Sequence, residues 1–536
     1  MSSSGLLILS QPLSHVTRNL PHYLTELSKL VTKTAYIHVQ PGLIATPCSS
    51  KDPSELFNFI QEPLTLDVRR IVKDVYVSSV KFCQNLDVKV LVGHFGKPGI
   101  KYPKYCFFDP CGFVLVDSEV REEEKFIELL KEQFGIKDDC KILQQLFECD
   151  TEEKKLKLDD ETSEVIQQYG HTVLGGTFDR LHVGHKILLT EGCILGTSEL
   201  TVGVTDGQVN DKKTLRELIE PVEERVAVVK QFLTEIKPSL DYNVVPIYDV
   251  YGPTITDQSM NFIVLSDETR KGGAMVNEKR QDLGMNKLDE CVIELVEDLQ
   301  HSEYEENKVS SSSLRKRLLG TLYNPIKEKD GLNTTPYIIG LTGGIASGKS
   351  SVCKRLELLG AKIVDCDKLG HKAYIKGSPG FDKLVKEFGE QVIGENGEID
   401  RKQLGKIVFG DKDCLQKLNS LIWPEIANLA EQQILEFKND NCDVVILDAA
   451  VLLEANWDQM CHEVWTTIVP QQEAIKRIVE RNNLTGEQAE QRVKSQISNS
   501  DRVNKANVIL CTLWEYDYTQ QQVEKAWQLL QDRLPK

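Results

Sequence analysis

The sequence predicts an α/β protein of three domains, with strands alternating with helices and parallel sheets in at least the second and third domains. Short apolar runs separated by amphipathic segments recur along the chain. Twice such a run leads through a glycine-containing turn into a helix, at Gly175-Gly176 and again from Gly343 to Gly348. Length supplies the third observation, because 536 residues exceed the roughly 250–300 at which one hydrophobic core stops growing.

Two segments punctuate the chain. From Asp150 to Glu164, ten of fifteen residues are charged and only Leu156 and Leu158 are aliphatic, which reads as a solvated linker or exposed helix. Tyr323 to Pro336 carries Pro325, Gly331, Asn333 and Pro336 among charges and reads as a second break. The expected organisation is an α/β domain over residues 1–150, a linker over 151–167, a second domain over 168–322, a linker over 323–336 and a third domain over 337–536.

Composition narrows the function classes. Hydrophobic residues at 40% and charged residues at 27% are ordinary for globular domains. A net charge of -17 lacks the basic footprint that sequence-independent nucleic-acid binding requires, so no nucleic-acid partner is expected. The fourteen cysteines include no C-x-x-C pair and no metal-type spacing, which fits a reducing compartment. Val444 to Leu447 and Ala449 to Leu453 are cut by Asp448 and fall short of the roughly 20 apolar residues of a bilayer span, so no transmembrane segment is expected. Gly5 to Leu9 resembles a strand more than a leader, and no clear targeting signal is legible. The expected location is the cytoplasm, with association with mitochondria left open.

In the first domain, strands are expected at 6–9, 36–39, 88–92 and 113–116 and helices at 20–31 and 121–134. No glycine-rich turn follows these strands, and His15, His22, His38 and His94 are scattered. An interaction or stabilising domain, with a protein as its partner, is expected over a third catalytic site.

The second domain opens with the β-prone run His171 to Leu174, then reads G-G-T-F-D-R-L-H-V-G-H from Gly175 to His185 before an apolar helix at 187–195. Gly175 and Gly176 let the backbone approach a phosphate around Thr177 and Phe178, and the helix that follows offers its N-terminal amides to an anion. His182 and His185 are three residues apart, so on a first helical turn both imidazoles face one way and converge on one phosphate. That geometry suits attack of one phosphate on the α-phosphate of a nucleotide, without a covalent intermediate. The segment resembles the signature of the nucleotidyltransferase superfamily that contains the phosphopantetheine adenylyltransferases. A second match follows at Lys308-Val309-Ser310-Ser311-Ser312-Ser313-Leu314-Arg315, similar to that family's I-S-S-T-x-x-R loop.

The resemblance implies a Rossmann-like fold, with Ser310, Ser311 and Ser312 at the β- and γ-phosphates of ATP and Arg315 at the departing pyrophosphate. It further implies that either Lys212 or Lys213 reaches the reacting phosphates and that the loop from Ser266 to Gly273, with Lys271, contacts the nucleotide. The sequence does not choose between the two lysines, and each reads equally well as a solvated surface charge.

The third domain begins with the buried-strand pattern Tyr337 to Thr342, followed by Gly343-Gly344-Ile345-Ala346-Ser347-Gly348-Lys349-Ser350 and a helix at 351–359. This is a complete G-x-x-x-x-G-K-S in its strand–turn–helix context. Its backbone amides wrap ATP phosphates, Lys349 reaches the β- and γ-phosphates, the Ser350 hydroxyl ligates magnesium, and Ser351 opens the helix. The next strand, 361–364, ends in Asp365-Cys366-Asp367-Lys368-Leu369-Gly370-His371. Carboxylates at the carboxyl end of such a strand face the crevice where an acceptor hydroxyl meets the γ-phosphate, which marks Asp367 as general base. For Asp365, structural hydrogen bonding is as good a reading as catalysis.

This segment, with Asp400-Arg401-Lys402-Gln403-Leu404, Val408-Phe409-Gly410 and the run ending in Asp448 with Glu454, resembles dephospho-coenzyme A kinase from residue 337 onward. The resemblance implies a P-loop kinase fold and an acceptor site formed by Asp365, His371 and Arg401. Arg477, Arg481 and Arg492 read either as a cationic lid over ATP or as a charged solvent face. Trp423-Pro424 stands where that family commonly has His-Pro, so no histidine role carries over.

Together the two resemblances are those of the bifunctional coenzyme A synthases of animals. They imply adenylyl transfer from ATP to 4′-phosphopantetheine, giving dephospho-coenzyme A and pyrophosphate, then ATP-dependent phosphorylation of the ribose 3′-hydroxyl to give coenzyme A, with magnesium at both sites. A nicotinamide mononucleotide adenylyltransferase joined to a nucleoside kinase would share both phosphate loops, and the D-x-D-x-L-G-H segment stands against it. A nucleotide-regulated scaffold is the reading from another class, motivated by the large first domain.

Overall fold

The computed structural model describes residues 2–44, 57–96, 100–101, 103–145, 164–329, 331–408 and 411–534. Nearly all of the charged linker expected over 151–167 lies outside the described residues, as do Cys48, Cys149, Phe409 and Gly410. The chain forms two compact units, Met1–Ser313 and Leu314–Lys536. Among the described residues, no helix is long and apolar enough to cross a membrane.

The first unit contains two parallel sheets. The N-terminal sheet is built from β1 (Ser2–Leu9), α1 (Leu13–Leu30), β2 (Val31–Val39), α2 (Leu66–Phe82), β3 (Asp87–Leu91), β4 (Phe113–Val116), α3 (Glu123–Phe134) and β5 (Lys141–Gln144), in the order β3-β2-β1-β4-β5. The helix expected at 20–31 begins seven residues earlier, at Leu13, and runs through Pro21. Its expected last residue, Val31, starts the following strand instead. Helix α2 was not foreseen, although Val68, Ile71, Val72, Val75 and Tyr76 form a helical apolar stripe that is buried.

The second sheet follows as β6 (Tyr169–Gly176), α4 (Val183–Leu195), β7 (Gly196–Thr205), α5 (Val222–Ile236), β8 (Asp241–Ile247), β9 (Phe262–Ser266), α6 (Arg270–Asp282) and β10 (Asp289–Ile293), in the order β10-β9-β6-β7-β8. Helix α7 (Ser311–Leu318) closes it in sequence. One hydrophobic core spans both sheets of the first unit, joining Val72, Val75 and Tyr76 of α2 to Leu188, Leu189 and Ile194 of α4.

In the second unit, β11 (Tyr337–Gly343) and α8 (Lys349–Leu358) lead to β12 (Lys362–Asp365) and α9 (Cys366–Lys372). Then come α10 (Pro379–Phe388), α11 (Arg401–Val408), α12 (Lys412–Asn439), β13 (Val444–Asp448), β14 (Glu463–Ile468), α13 (Gln471–Asn482), α14 (Gly486–Lys494), α15 (Asn499–Lys505), β15 (Val508–Cys511) and α16 (Tyr516–Gln531). The sheet order is β12-β13-β11-β14-β15, all parallel, with every residue of β11 buried. Burial on both faces explains why β11 and β13 read as unbroken apolar runs rather than alternating ones. The expected linker 323–336 is fastened to this unit. The Tyr323 amide donates to Asn507 O at 2.7 Å, and His462 Nε2 donates to Asn333 O at 2.9 Å.

His38 and His94 illustrate how completely the N-terminal core excludes water, each being 0% exposed with ring centroids 4.3 Å apart. Burial lowers the His38 pKa to about 4, partly offset by its hydrogen bond to Gln40. Because the folded state resists a proton that the unfolded chain accepts near pH 6.5, this residue costs stability as pH falls from about 6.5 to 4. Chemical denaturation across that window should show a loss on the order of 3 kcal/mol from this group. A His38→Phe variant should lack that part of the slope, and an identical slope would contradict the assignment.

Candidate active sites

The carboxyl edge of the second sheet assembles the first site. Strand β6 is central, so the turn after it opens at the point where strand order reverses between β9 and β7, the position at which doubly wound sheets bind ligands. His182 is the N-cap of α4 and His185 its third residue, with the rings stacked 3.8 Å apart at 20°. Gly184 makes that approach possible, since a Cβ there would lie 3.3 Å from two atoms of the His182 ring. The serine segment meets the pair: Ser311 Oγ donates to Asp179 O at 2.9 Å and lies 3.4 Å from His182 Nε2. Ser310 caps α7 by accepting the Ser313 amide at 3.1 Å. Ser312 is half-buried on the first turn of α7, and Arg315, farther along that helix, is 1% exposed.

The structure separates the two lysines that the sequence left equivalent. Lys213 directs Nζ to the Thr177 hydroxyl within the turn, whereas Lys212 is exposed. Lys271 lies exposed on the first turn of α6. Phe178 and Arg180 both adopt positive φ of 51°, which lets the turn between β6 and α4 reverse tightly. Arg225 holds this turn in place. Its guanidinium, 1% exposed, donates to Thr177 O and Thr205 O, each at 2.8 Å, so it ties the ends of β6 and β7 together. Nothing in the sequence marks Arg225, because a buried arginine is indistinguishable from a surface one in a single sequence.

The second site lies on the third sheet, in the turn from β11 to α8. Gly348, the N-cap of α8, has φ of 85°, a conformation that favours glycine. Lys349 pairs with Asp448 at the end of the neighbouring strand β13. Burial opposes charge on Lys349, but Asp448 and then Asp367 raise its pKa above the ordinary lysine value. Ser350 and Ser351 stand exposed on the first turn of α8, Gly344 and Ala346 are half-buried, and Gly343 and Ser347 are buried.

Hydrogen bonds brace the loop from outside. Ser347 Oγ lies 2.6 Å from Thr467 Oγ1, and the Ile345 amide donates to Gln496 Oε1 at 2.8 Å. Arg477 donates to Thr512 O at 2.7 Å and to Ala346 O at 3.2 Å. That arginine, considered for a mobile lid, is therefore a brace of the phosphate loop, while Arg481 and Arg492 are exposed on α13 and α14.

Asp365 caps α9, accepting the Lys368 amide at 2.9 Å. Burial would raise its pKa, and the Lys368 amide and ammonium bring it below the ordinary value. Asp367 and His371 are exposed on α9, and Arg401 places its guanidinium 5.9 Å from the Tyr374 ring. Trp423 and Pro424 lie inside the 28-residue helix α12 rather than before a helix. Arg502 escaped the sequence entirely. It is 2% exposed, and its Nη1 donates to Ile497 O at 2.7 Å and would lie 3.3 Å from a Cβ on Gly344.

Among the described residues, no group of three carboxylate, histidine or cysteine side chains is placed to hold a metal. Ser350, beside the Lys349–Asp448 pair, suits magnesium that arrives with nucleotide phosphates, since that ion keeps most of its oxygen ligands from water and substrate.

A histidine pair on one parallel sheet and a glycine–lysine loop on another define a nucleotidyltransferase joined to a P-loop kinase. Residues 337–512 match the family described as dephospho-CoA kinase, 173–317 the cytidylyltransferase-like family, and 3–127 the family described as COASY N-terminal domain. The dephospho-CoA kinase of Carboxydothermus hydrogenoformans is 37% identical over 186 residues, covering 35% of this chain and 90% of that protein. That of Fusobacterium nucleatum is 40% identical over 173 residues, covering 32% of this chain and 88% of its own length. The solved dephospho-CoA kinase from Campylobacter jejuni shares 26% identity, with a TM-score of 0.30, over 36% of this chain and 97% of that one. The chain belongs to the dephospho-CoA kinase family, and the three matched domains together are those of the bifunctional coenzyme A synthases.

Gly348→Ala would bring a Cβ to 2.7 Å from the Thr512 side chain. The left-handed backbone alone should cost about 1–2 kcal/mol. A lower denaturation midpoint for the second unit is the expected result, and an unchanged midpoint would contradict the role given to Gly348.

Proposed function

We propose that the chain performs the last two steps of coenzyme A synthesis. The observation that carries this reading is the stacked pair His182–His185 on one sheet together with the Lys349 loop of a dephospho-CoA kinase on another.

In the first step, a phosphate oxygen of 4′-phosphopantetheine attacks the α-phosphorus of ATP, and pyrophosphate leaves as the bond to the β-phosphate oxygen breaks. His182 and His185 donate to the α-phosphate oxygens as charge builds there. Lys213, held beside Thr177, and Arg315 offset the charge of the departing pyrophosphate, and Ser310 to Ser312 with the α7 N-terminus cradle its oxygens. Gly175, Gly176 and Phe178 shape the turn, and Lys271 offers a cation at the nucleotide.

In the second step, the ribose 3′-hydroxyl of dephospho-coenzyme A attacks the γ-phosphorus of a second ATP and ADP leaves. Asp367, exposed on α9 and close enough to Lys349 to influence its charge, accepts the hydroxyl proton. Asp365, His371 and Arg401 orient the acceptor, Lys349 and the loop amides bind the phosphates, and Arg481 and Arg492 close over them. Magnesium, when bound with ATP at Ser350, neutralises phosphate charge. The nicotinamide alternative finds no support in a third domain whose relatives are dephospho-CoA kinases.

Incubation with 4′-phosphopantetheine, ATP and magnesium should release pyrophosphate and then form coenzyme A. Lys349→Ala should lower the second step roughly 100-fold or more, so that dephospho-coenzyme A accumulates, and His185→Ala should do the reverse. Failure of the wild-type chain to release pyrophosphate, or one substitution silencing both reactions in folded protein, would overturn the proposal.

A further inference from the structure

Residues 2–145 repeat the architecture of residues 164–293. Counting strands and α-helices, both run strand, helix, strand, helix, strand, strand, helix, strand, and among the described residues neither has an α-helix between its third and fourth strands. Numbered within each domain, both sheets have the order 3-2-1-4-5. The register at the first helix also matches. Pro12 is the N-cap of α1 as His182 is of α4, and His15 is the third helical residue as His185 is. The first copy therefore has one histidine where the second has two, and two residues lie between the end of β1 and the N-cap residue where five do in the second.

What fills the corresponding cradle is the chain itself. Asp117, after β4 and 2% exposed, accepts the Ser10 amide at 2.8 Å, the Gln11 amide at 3.0 Å and the Ser10 hydroxyl at 2.9 Å. These amides stand at the strand-to-helix turn where a nucleotide phosphate would otherwise be cradled. A buried carboxylate there takes up the donors and repels an anion.

The same domain grips α4, the helix that carries His185. From Lys186 to Leu195 every residue of α4 is buried, three of them charged or polar side chains facing the N-terminal domain. Lys186, next to His185, donates to Asp87 at the start of β3 and to Val88 O at 3.1 Å. Thr190 lies 3.0 Å from the Tyr76 hydroxyl, and Glu191 pairs with Arg69. Glu235 of α5 pairs with Lys89 and accepts the Tyr36 hydroxyl at 2.9 Å.

We propose that residues 2–145 form a second nucleotidyltransferase-type domain that binds no nucleotide, its cradle closed by Asp117, and that it fixes the His185 helix through the Asp87–Lys186 pair. Asp87 and Lys186 are positioning residues, and this part rests on the adenylyl-transfer reading above. In the full chain, Asp87→Ala should lower kcat for pyrophosphate release roughly ten- to a hundredfold with KM for ATP little changed, because a small displacement of the histidines misaligns the reacting atoms. The kinase step on added dephospho-coenzyme A should be unchanged, and Asp87→Glu should recover most of the lost kcat.

Unaltered kcat in Asp87→Ala, or adenylyl and kinase rates falling together, would overturn the positioning role. If Asp87→Ala does not fold, Asp87→Ala/Lys186→Met, which leaves no lone buried charge, takes its place. Photolabelling of the full chain with 8-azido-ATP tests the closed cradle independently. Label confined to peptides beyond residue 164 supports it, and label on the peptide spanning Ser10 to His15 overturns it. Wild-type protein that releases no pyrophosphate would fail the adenylyl-transfer reading, and the photolabelling result would still decide this one.

Discussion

A helix that follows a buried parallel strand begins with amide groups that have no carbonyl partner within the helix. Three sheets in this chain create that problem at their central strands, β1, β6 and β11, and the solution differs each time. At β6 and β11 the turn stays open beside cationic or hydrogen-donating side chains, His182 and His185 in one case and Lys349 in the other. At β1 the amides of Ser10 and Gln11 are satisfied by Asp117. Whether the turn leaves its amides beside such side chains or gives them to the protein's own carboxylate thus distinguishes β6 and β11 from β1.

Two arginines, Arg225 fully buried and Arg477 partly so, brace the open turns. Arg225 spans the ends of β6 and β7, and Arg477 spans the phosphate loop and Thr512. Each meets backbone carbonyls in a fixed fork, a geometry that lysine could not reproduce. Lys349 and Asp448 add a charge pair that joins the first residue of α8 to the end of β13, the strand beside β11. In the first unit a continuous core joins both sheets, and the polar face of α4 would meet water without the N-terminal domain.

Both phosphate loops were legible in the sequence because their chemistry is local: glycine, histidine, lysine and serine act within a dozen residues of one another. The strand cores were legible for the same reason, β4 to the residue and β11 to within one. What escaped depends on long-range pairing. Arg225, Arg502 and Gln496 meet residues between 48 and roughly 160 positions away, or the backbone of a loop elsewhere, and no spacing rule reveals them. The choice of Lys213 over Lys212 follows from the turn that brings one of them to Thr177. The match between the first two sheets was hidden too, since topology is retained while the glycine and histidine signature is not.

Two open cradles and one closed should leave the chain with two nucleotide sites. Titration of the full chain with a non-hydrolysable ATP analogue, followed by calorimetry, counts them directly. Two nucleotides bound per chain, falling to one in Lys349→Ala, is the predicted result. Three per chain, or two that persist in that variant, would contradict it.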